Sequence, residues 1–543
     1  MAPTPPNHPA HNAALEKIAA RVRHFHARKT PFRVYHGTAN STRKSPYRHD
    51  NTVDISGLNH ILDIHSSSSS KRESASHGEP LVFVEPNVPM DQLVDETLKH
   101  GLLPPVVMDF PGITCGGGFA GTSGESSSFR HGLFDRTVKF VEMVLGNGDV
   151  VVASEDSCPD LFRGAASSFG TLGVVTMLGI ALVPAKRFVS LTYVRISGME
   201  EGLELVRREQ EDEKLDYIDG IFFAKDRGVL CLGKLTDTMA AGTEEVKQFL
   251  RPQDDWFYMN AEKLVARRSR WTETIPIKDY LFRYDRGAFW MGKYTYQYFA
   301  VPFNWFTRWA LSKWTHTRVM YHALHQSGLA DKYIVQDVAV PYQHAARFLE
   351  YLDDEFRNYP IWICPLKLGG REDGTTYGGL LGGGGGAPTA KDDAENMVLN
   401  FGVWGPGPGK QSDFIAWNQA FEDQVQALRG RKWLYAHTYY TEEKFGQIYD
   451  KEKYDALRRK YHAEYLPNLY LKVRVDVKKP EQEAQGWLLW VLALIWSVWP
   501  IAGLYGWVSC LVSREYLMPK RMSWIVREGG KARVKKEVAL KGS

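Results

Sequence analysis

Between residues 12 and 28 (NAALEKIAARVRHFHAR), apolar Ala14, Leu15, Ile18, Val22 and Phe25 recur at three- and four-residue spacing, which predicts an amphipathic helix. Next, PFRVYHG reads as a strand entering a turn at Gly37, and Thr52 to Ile55 as a second short strand. Leu81 to Glu85 is strand-like, and Asp91 to His100 is helical with an acid in its first turn. Gly101 to Val107 leads into a glycine-rich stretch, so the traffic reads β-α-β. In TVKFVEMVLGNGDVVVAS, apolar positions alternate on both sides of Asn147-Gly148, a strong hairpin pattern. Together these elements predict an α+β domain over residues 30–187, preceded by a helical extension over 1–29. Residues 188–412 mix strands, amphipathic helices and aromatic clusters such as FWMGKYTYQYFAVPFNWF, and read as a second α+β domain. The polar run Ser66 to Gly78 and the stretch LGGGGGAPTAKDD at Leu381 to Asp393 read as surface loops, because five consecutive glycines lose much backbone entropy on packing.

From Trp487 to Val512 the chain runs 26 residues without a charge (WLLWVLALIWSVWPIAGLYGWVSCLV), long enough to cross a hydrocarbon layer of about 30 Å. Membrane attachment is the expectation; a buried helix of the folded part is the alternative. Pro500, Gly503 and Gly506 divide the segment into two apolar halves, each too short to cross alone. Net charge changes this picture. Of the overall +4, residues 513–543 carry nine Lys/Arg against three Glu, or +6, which leaves −2 for the rest. A single span below a cytosolic domain would send that basic tail to the lumen, against the positive-inside tendency, so a hairpin or interfacial insertion is favoured over a span. A basic tail also suits nucleic acid, yet no zinc-finger, RNA-recognition or homeodomain pattern accompanies it, and no nucleic-acid partner is expected.

Composition adds less. A chain of 543 residues exceeds what one core organises and suits two packed domains with attachments. The 16 Trp, 26 Tyr and 26 Phe point to broad apolar contact surfaces, for a bulky apolar ligand or a membrane. Cys115, Cys158, Cys231, Cys364 and Cys510 are odd in number and widely spaced with no CxxC pair, so neither a disulfide framework nor a zinc site is predicted. A reducing compartment follows. His24 and His26 fall on different faces of the first helix, so no metal is expected there, and the N-terminus carries no secretory-signal pattern.

The most informative stretch is Pro111 to Gly132, PGITCGGGFAGTSGESSSFRHG, where seven glycines and six Ser/Thr fall within 22 residues. Small residues let the backbone approach a large ligand, and successive N–H groups can converge on an anion. The spacing fits neither GxGxxG after a strand nor GxxxxGK[ST], so a Rossmann site and a P-loop are both unsupported. This stretch, with DLFRGAASSFGTLGVVT, VPAKRFV, YIDGIFFAKD, VQDVAVP, YPIWICPL and LYAHTYYTEEKF, resembles the Δ24-sterol reductases. The likeness covers residues 30–472. These enzymes have the vanillyl-alcohol-oxidase-type (PCMH) FAD-binding fold.

The resemblance implies a PCMH-type FAD domain over 30–187, a substrate or cap domain over 188–412, and a part returning to the flavin over 413–480. It places the FAD pyrophosphate at the turn of Gly37, Thr38, Asn40 and Ser41. Some relatives attach flavin through a histidine in that turn; Asn40 implies non-covalent binding. Thr114, Gly116, Gly117, Gly118, Gly121, Thr122, Gly124, Glu125 and Ser126 would run along the flavin. Gly170, Thr171, Gly173 and Val174 would line it. The implied reaction is reduction of a sterol side-chain double bond by NADPH through FAD: an acid protonates the less substituted alkene carbon and flavin N5 delivers hydride. Candidates for the acid and its partners are Tyr439, Asp337, Glu125 and Arg286. Equally, Tyr439 reads as a core tyrosine and Asp337 as a strand-end cap. Relatives from animals and plants carry their anchor at the N-terminus, whereas here the apolar segment follows the catalytic region. The expected location is the endoplasmic reticulum membrane with the catalytic domain in the cytosol. Alternatives are a flavin oxidase or dehydrogenase of the same fold acting on a polyol or lactone, and a non-catalytic sterol-binding protein. Oligomeric state stays open.

Overall fold

The computed structural model describes residues 6–37, 50–66, 79–239, 246–368, 397–475 and 498–513. The first helix, α1 (Pro9–Ala27), begins three residues before the predicted start, with proline at its first turn and His8 accepting from the His11 backbone N–H. Its buried stripe of Ile18, Ala19, Val22 and Phe25 packs with Val144, Val174, Ala463 and Leu466. Gly148 shows why the predicted hairpin needs its glycine: φ is +89°, and an added Cβ would lie 2.3 Å from the Arg23 side chain on α1.

A buried polar pin fixes α1 to the sheet beneath it. His11 Nδ1 lies 2.8 Å from Glu85 and Nε2 lies 2.9 Å from Glu142, while the other Glu85 oxygen meets His60 at 2.8 Å. Burial opposes a charged His11 ring, but the two carboxylates outweigh it and push its pKa up to about 9. A raised histidine stabilises the fold fully below its unfolded value near 6.5, and that stabilisation fades as pH rises through about 9. The shift corresponds to about 3 kcal/mol in the acid range. His11→Ala is therefore expected to free α1 at neutral pH, read as faster tryptic cleavage at Lys17, Arg21 and Arg23. The wild type should reach the same cleavage rate only above pH 9.

Strands β1 (Arg33–Tyr35) and β2 (Thr52–Asp54) form a short parallel pair. β3 (Ile61–His65), β4 (Leu81–Val84), β5 (Leu102–Leu103), β6 (Val138–Leu145), β7 (Val150–Ser154), β8 (Gly173–Ala181) and β9 (Val183–Pro184) follow. They make a five-stranded sheet in the order β3-β4-β8-β6-β7 and a separate β5-β9 ladder. Helix α2 (Met90–Leu98) joins β4 to β5, but these strands sit in different ladders, both antiparallel. The predicted β-α-β sequence is thus present without a parallel crossover.

The second sheet contains β10 (Phe188–Ile196), β11 (Tyr217–Ala224), β12 (Arg227–Thr236), β13 (Arg270–Pro276), β14 (Tyr333–Pro341), β15 (Ile361–Lys367), β16 (Met397–Pro406) and β17 (Arg431–Lys432). Its order is β13-β10-β12-β11-β15-β16-β14-β17, with every pair antiparallel. The two-residue period of its strands divides two faces. Ile334, Val338, Ile363, Leu399 and Phe401 pack with Leu203, Phe348, Leu352 and Phe421 from the helices Met199–Glu209, Tyr342–Glu355 and Gln411–Ala427. Val335, Asp337, Trp362 and Trp404 point the other way, toward the glycine-rich stretch.

After β17 the chain crosses back to the first sheet. Trp433 Nε1 donates to Thr122 O at 2.7 Å, Tyr454 OH to Thr171 Oγ1 at 2.6 Å, Tyr461 OH to Asp160 at 2.8 Å, and Tyr465 OH to Gly146 O at 2.7 Å.

The predicted loops at Ser66 to Gly78 and Leu381 to Asp393 lie almost wholly outside the described residues, as do Trp487 to Ser497 of the apolar segment. Its second half forms a helix, Ile501–Ser513. Among the described residues no helix is long and apolar enough to cross a membrane.

Candidate functional site

Between the two sheets lies a cavity of about 320 Å³. The glycine-rich stretch forms one wall. Thr114 caps the short helix Cys115–Gly121, accepting from the Gly117 N–H at 3.1 Å, and Thr122, in the left-handed region at φ 48°, ends it. Thr114, Gly116, Gly117, Gly121, Gly124 and Glu125 all border the space. A Cβ on Gly116 would lie 2.7 Å from Pro86 and one on Gly124 would lie 2.8 Å from Leu366, so the stretch is wedged between both halves of the molecule. A second wall comes from the turn after the helix Pro159–Ala165. There Ser167, Phe169 and Gly170 all have positive φ, which is costly for the two non-glycine residues, and Ser168, Gly170 and Gly173 reach the cavity. Arg33 on β1, His36 just after it and Lys472 on the helix Leu469–Val473 bring cationic or titratable groups.

The remaining wall is aromatic: Phe110, Phe289, Tyr321, Trp362, Trp404 and Tyr435. Phe289 sits at φ 60°, held by stacking on Tyr284 at 4.2 Å, and meets Trp404 and Phe110 edge-on at 5.2 and 5.5 Å.

Three carboxyl groups enter this apolar space. Asp337 accepts from Trp404 Nε1 at 3.2 Å and from Tyr435, and Gly402, opposite it on β16, leaves room for its side chain. Burial pushes Asp337 up to about 6, against these hydrogen bonds. Glu125 and Asp109 share a hydrogen bond, and Glu125 also accepts from the Asp109 backbone N–H at 3.3 Å. Behind them Arg283 bridges Asp109 at 3.1 Å and Asp219 at 2.8 Å; Asp219 also receives Tyr284 OH at 2.8 Å and Trp362 Nε1 at 3.1 Å. One guanidinium thus holds two buried carboxyls, Asp109 and Asp219, beside the partly buried Glu125. Burial, then the neighbouring Asp109, drives Glu125 well above the carboxylate range, while burial lifts Asp109 to about 6 despite Arg283. Both causes favour the protonated form of Glu125.

Several expected residues lie elsewhere. Gly118 faces Met108, where a Cβ would come within 2.3 Å, and serves helix packing. The Thr122 hydroxyl turns to Gly121 O, Ser126 accepts from Tyr280 OH, and the Thr171 hydroxyl donates to Ser168 O. Val174 packs in the cluster beneath α1. Gly37 adopts φ 72° directly after His36, whereas Thr38, Asn40 and Ser41 fall outside the described residues. Tyr439 borders a separate pocket of about 30 Å³ with His437, and its backbone N–H donates to Glu422 at 3.0 Å. Arg286 is buried against carbonyl oxygens of Phe249, Pro252 and Asp254, and burial lowers its pKa to about 10. Asp109, Tyr435, Phe289 and Trp404 at the cavity and Arg283 behind it carry no motif in the sequence. For Trp404 the alternation of β16 was a readable sign.

An FAD fits the residues present. The glycines keep two walls free of side chains, Gly170 and Gly173 have positive φ, and Arg33, His36 and Lys472 offer partners for phosphate. Among the described residues no group of three or more His, Cys, Asp or Glu could hold a metal ion.

Comparison with known proteins agrees with this geometry. Residues 11–154 match an FAD binding domain family. The Delta(24)-sterol reductase of Mus musculus is 26% identical over 402 residues, 72% of this chain and 74% of the relative. That of Arabidopsis thaliana is 27% identical over 458 residues, 76% and 74% of the two chains. Cytokinin dehydrogenase 4 of Oryza sativa is 35% identical over 139 residues, a quarter of each chain. The resemblance to Δ24-sterol reductases drawn from the glycine-rich stretch is thus shown over about three-quarters of this chain.

Proposed function

We propose that this protein is an FAD-dependent oxidoreductase that reduces the side-chain Δ24 double bond of a sterol, with NADPH as electron donor. One observation carries the reading: the glycine-lined cradle and the Asp109–Glu125 carboxyl pair border the same aromatic cavity. Gly116, Gly117, Gly170 and Gly173 would hold an FAD along the cavity wall, and it would supply the hydride. The chain supplies the rest. Glu125 gives its proton to the less substituted alkene carbon, so that positive charge develops at the more substituted carbon, where hydride is accepted. Phe110, Phe289, Trp362 and Trp404 keep competing water from that charge. Asp337, hydrogen-bonded to Tyr435 and Trp404, fixes the tyrosine ring at the cavity wall. The apolar segment from Trp487 would hold the enzyme at the endoplasmic reticulum membrane, as a sterol substrate requires.

The test supplies detergent-purified full-length protein with FAD, NADPH and a panel of Δ24 sterols under anaerobic conditions, and follows product mass. A gain of two hydrogens on at least one sterol is expected. FAD-loaded protein that leaves every sterol unchanged, yet has its reduced flavin rapidly reoxidised by oxygen, would instead favour an oxidase of the same fold.

A further inference from the structure

Two surface helices of this chain invert the usual polarity. In Trp305–Ala310, capped by a reciprocal Asn304–Thr307 hydrogen-bond pair, the charged Arg308 turns inward to Asp255 (3.4 Å) and lies over the Phe303 ring. Trp305, Phe306 and Trp309 turn outward, 56, 61 and 46% exposed. In Ile501–Ser513 the buried face is small: Ala502, Gly503, Gly506 and Cys510. A Cβ on Gly503 would lie 2.3 Å from Tyr298, and one on Gly506 would lie 2.7 Å from Ala323 O, so this helix is seated closely on Thr317–Ser327. Its large residues, Leu504, Tyr505, Trp507, Val508, Leu511 and Val512, face out. Trp314, in the turn Ser312–Trp314 that follows the first helix, meets Trp507 of the second at 5.4 Å, so the two exposed apolar faces lie beside one another as a ledge.

We propose that this ledge is a bilayer-contacting surface, on which the protein rests in the plane of an anionic membrane with Trp305, Phe306 and Trp309 as a second contact beside the C-terminal segment. Charge selects a lipid surface over a second copy of the chain. Arg286, Arg308 and Arg318 are buried, but Lys313 is exposed next to the ledge and the chain after residue 513 carries +6. Two like copies would bring these charges together, whereas acidic headgroups neutralise them. Tryptophan and tyrosine are the side chains that favour the headgroup boundary. The helix Thr317–Ser327 touches both the ledge, through Ala323, and the cavity, through Tyr321. Only the further step, that the ledge delivers a sterol to the cavity, rests on the function proposed above.

Flotation of full-length, FAD-loaded protein with phosphatidylcholine vesicles, with and without phosphatidylserine, tests the ledge. The triple variant Trp305→Ser, Phe306→Ser, Trp309→Ser is expected to lower vesicle partitioning at least about tenfold, since three apolar side chains leave the contact. FAD content, Tm and turnover in detergent should stay at wild-type values. Phosphatidylserine should strengthen wild-type binding. Unchanged flotation of the triple variant overturns the proposal. So does a vesicle-free dimer that the same substitutions disperse, because that makes a second copy the occupant. Detergent turnover separates the two readings: lost flotation with no sterol reduced would fail the catalytic assignment alone.

Discussion

Glu125→Gln is expected to lower kcat by about 100- to 10,000-fold while FAD stays bound. The side chain is partly buried in the cavity wall, and glutamine keeps its size and its acceptor for the Asp109 N–H. What disappears is the carboxyl proton that burial and the neighbouring Asp109 favour on this side chain. Because Glu125 and Asp109 share a hydrogen bond, they titrate as a pair. Burial lifts Asp109 to about 6 and Glu125 well above the usual carboxylate range, so turnover should fall as rising pH removes the pair's proton. The stability effect has the opposite sign. A carboxyl whose folded pKa is raised stabilises most below its unfolded value, and that contribution is lost as pH rises toward the folded value. Glutamine never ionises, so the variant should melt at or above the wild-type temperature at alkaline pH. Loss of turnover with an equal or higher Tm separates a lost proton donor from a damaged fold. A kcat within about tenfold of wild type would move the proton donor to the Asp337–Tyr435 pair.

How much of this site the sequence could reveal depends on how local each feature is. The stripe on α1, the Asn147-Gly148 hairpin and the alternation in β6 and β7 are patterns over a few residues, and they appear close to where the spacing puts them. The glycine-rich stretch is equally local; six of its predicted residues border the cavity. Which glycines serve the ligand and which serve packing is not local. Gly118 is indistinguishable from Gly117 in sequence until Met108 is brought beneath it.

Pairs of similar residues show the same limit. Arg283 and Arg286 are three apart and both fully buried, but only Arg283 reaches the acids, through partners 174 and 64 residues away. Tyr435 and Tyr439 share one motif. The turn after β17 places Tyr435 against Gly121 at the cavity and Tyr439 in the small pocket beyond. Asp109 stands two residues before the glycine-rich motif with no local sign of its pairing. In the apolar segment, hydropathy marks Trp487 to Val512 as one unit, yet only the fold shows that the small residues of its second half lie against protein.

Arg283→Ala is expected to destabilise the protein by about 3–5 kcal/mol, the range for breaking a buried ion pair by removing one partner. The guanidinium is 1% exposed, bridges Asp109 and Asp219, donates to Tyr280 O at 2.9 Å, and lies against the rings of Tyr280 and Tyr284. Without it, Asp219 keeps only the Tyr284 hydroxyl and the Trp362 indole as recorded side-chain donors, and two acids face each other with no counter-charge. Surface ion pairs elsewhere, such as Lys186–Asp237, are solvated and should contribute far less. The effect should depend on pH with a definite sign. Arg283 is what holds Asp109 down toward 6, so its loss drives that carboxyl further up and the variant gains stability relative to wild type as pH falls. Urea unfolding of wild type and variant at about pH 5 and about pH 8 measures this, with the smaller difference expected at the acid end. Adding Asp219→Asn to Arg283→Met removes one orphaned charge while keeping shape. That double variant should recover part of the loss, and the coupling read from the cycle should reach about 1–3 kcal/mol. Equal losses at both pH values, with no coupling to Asp219, would mean that Arg283 acts here through packing on its aromatic neighbours and not through charge.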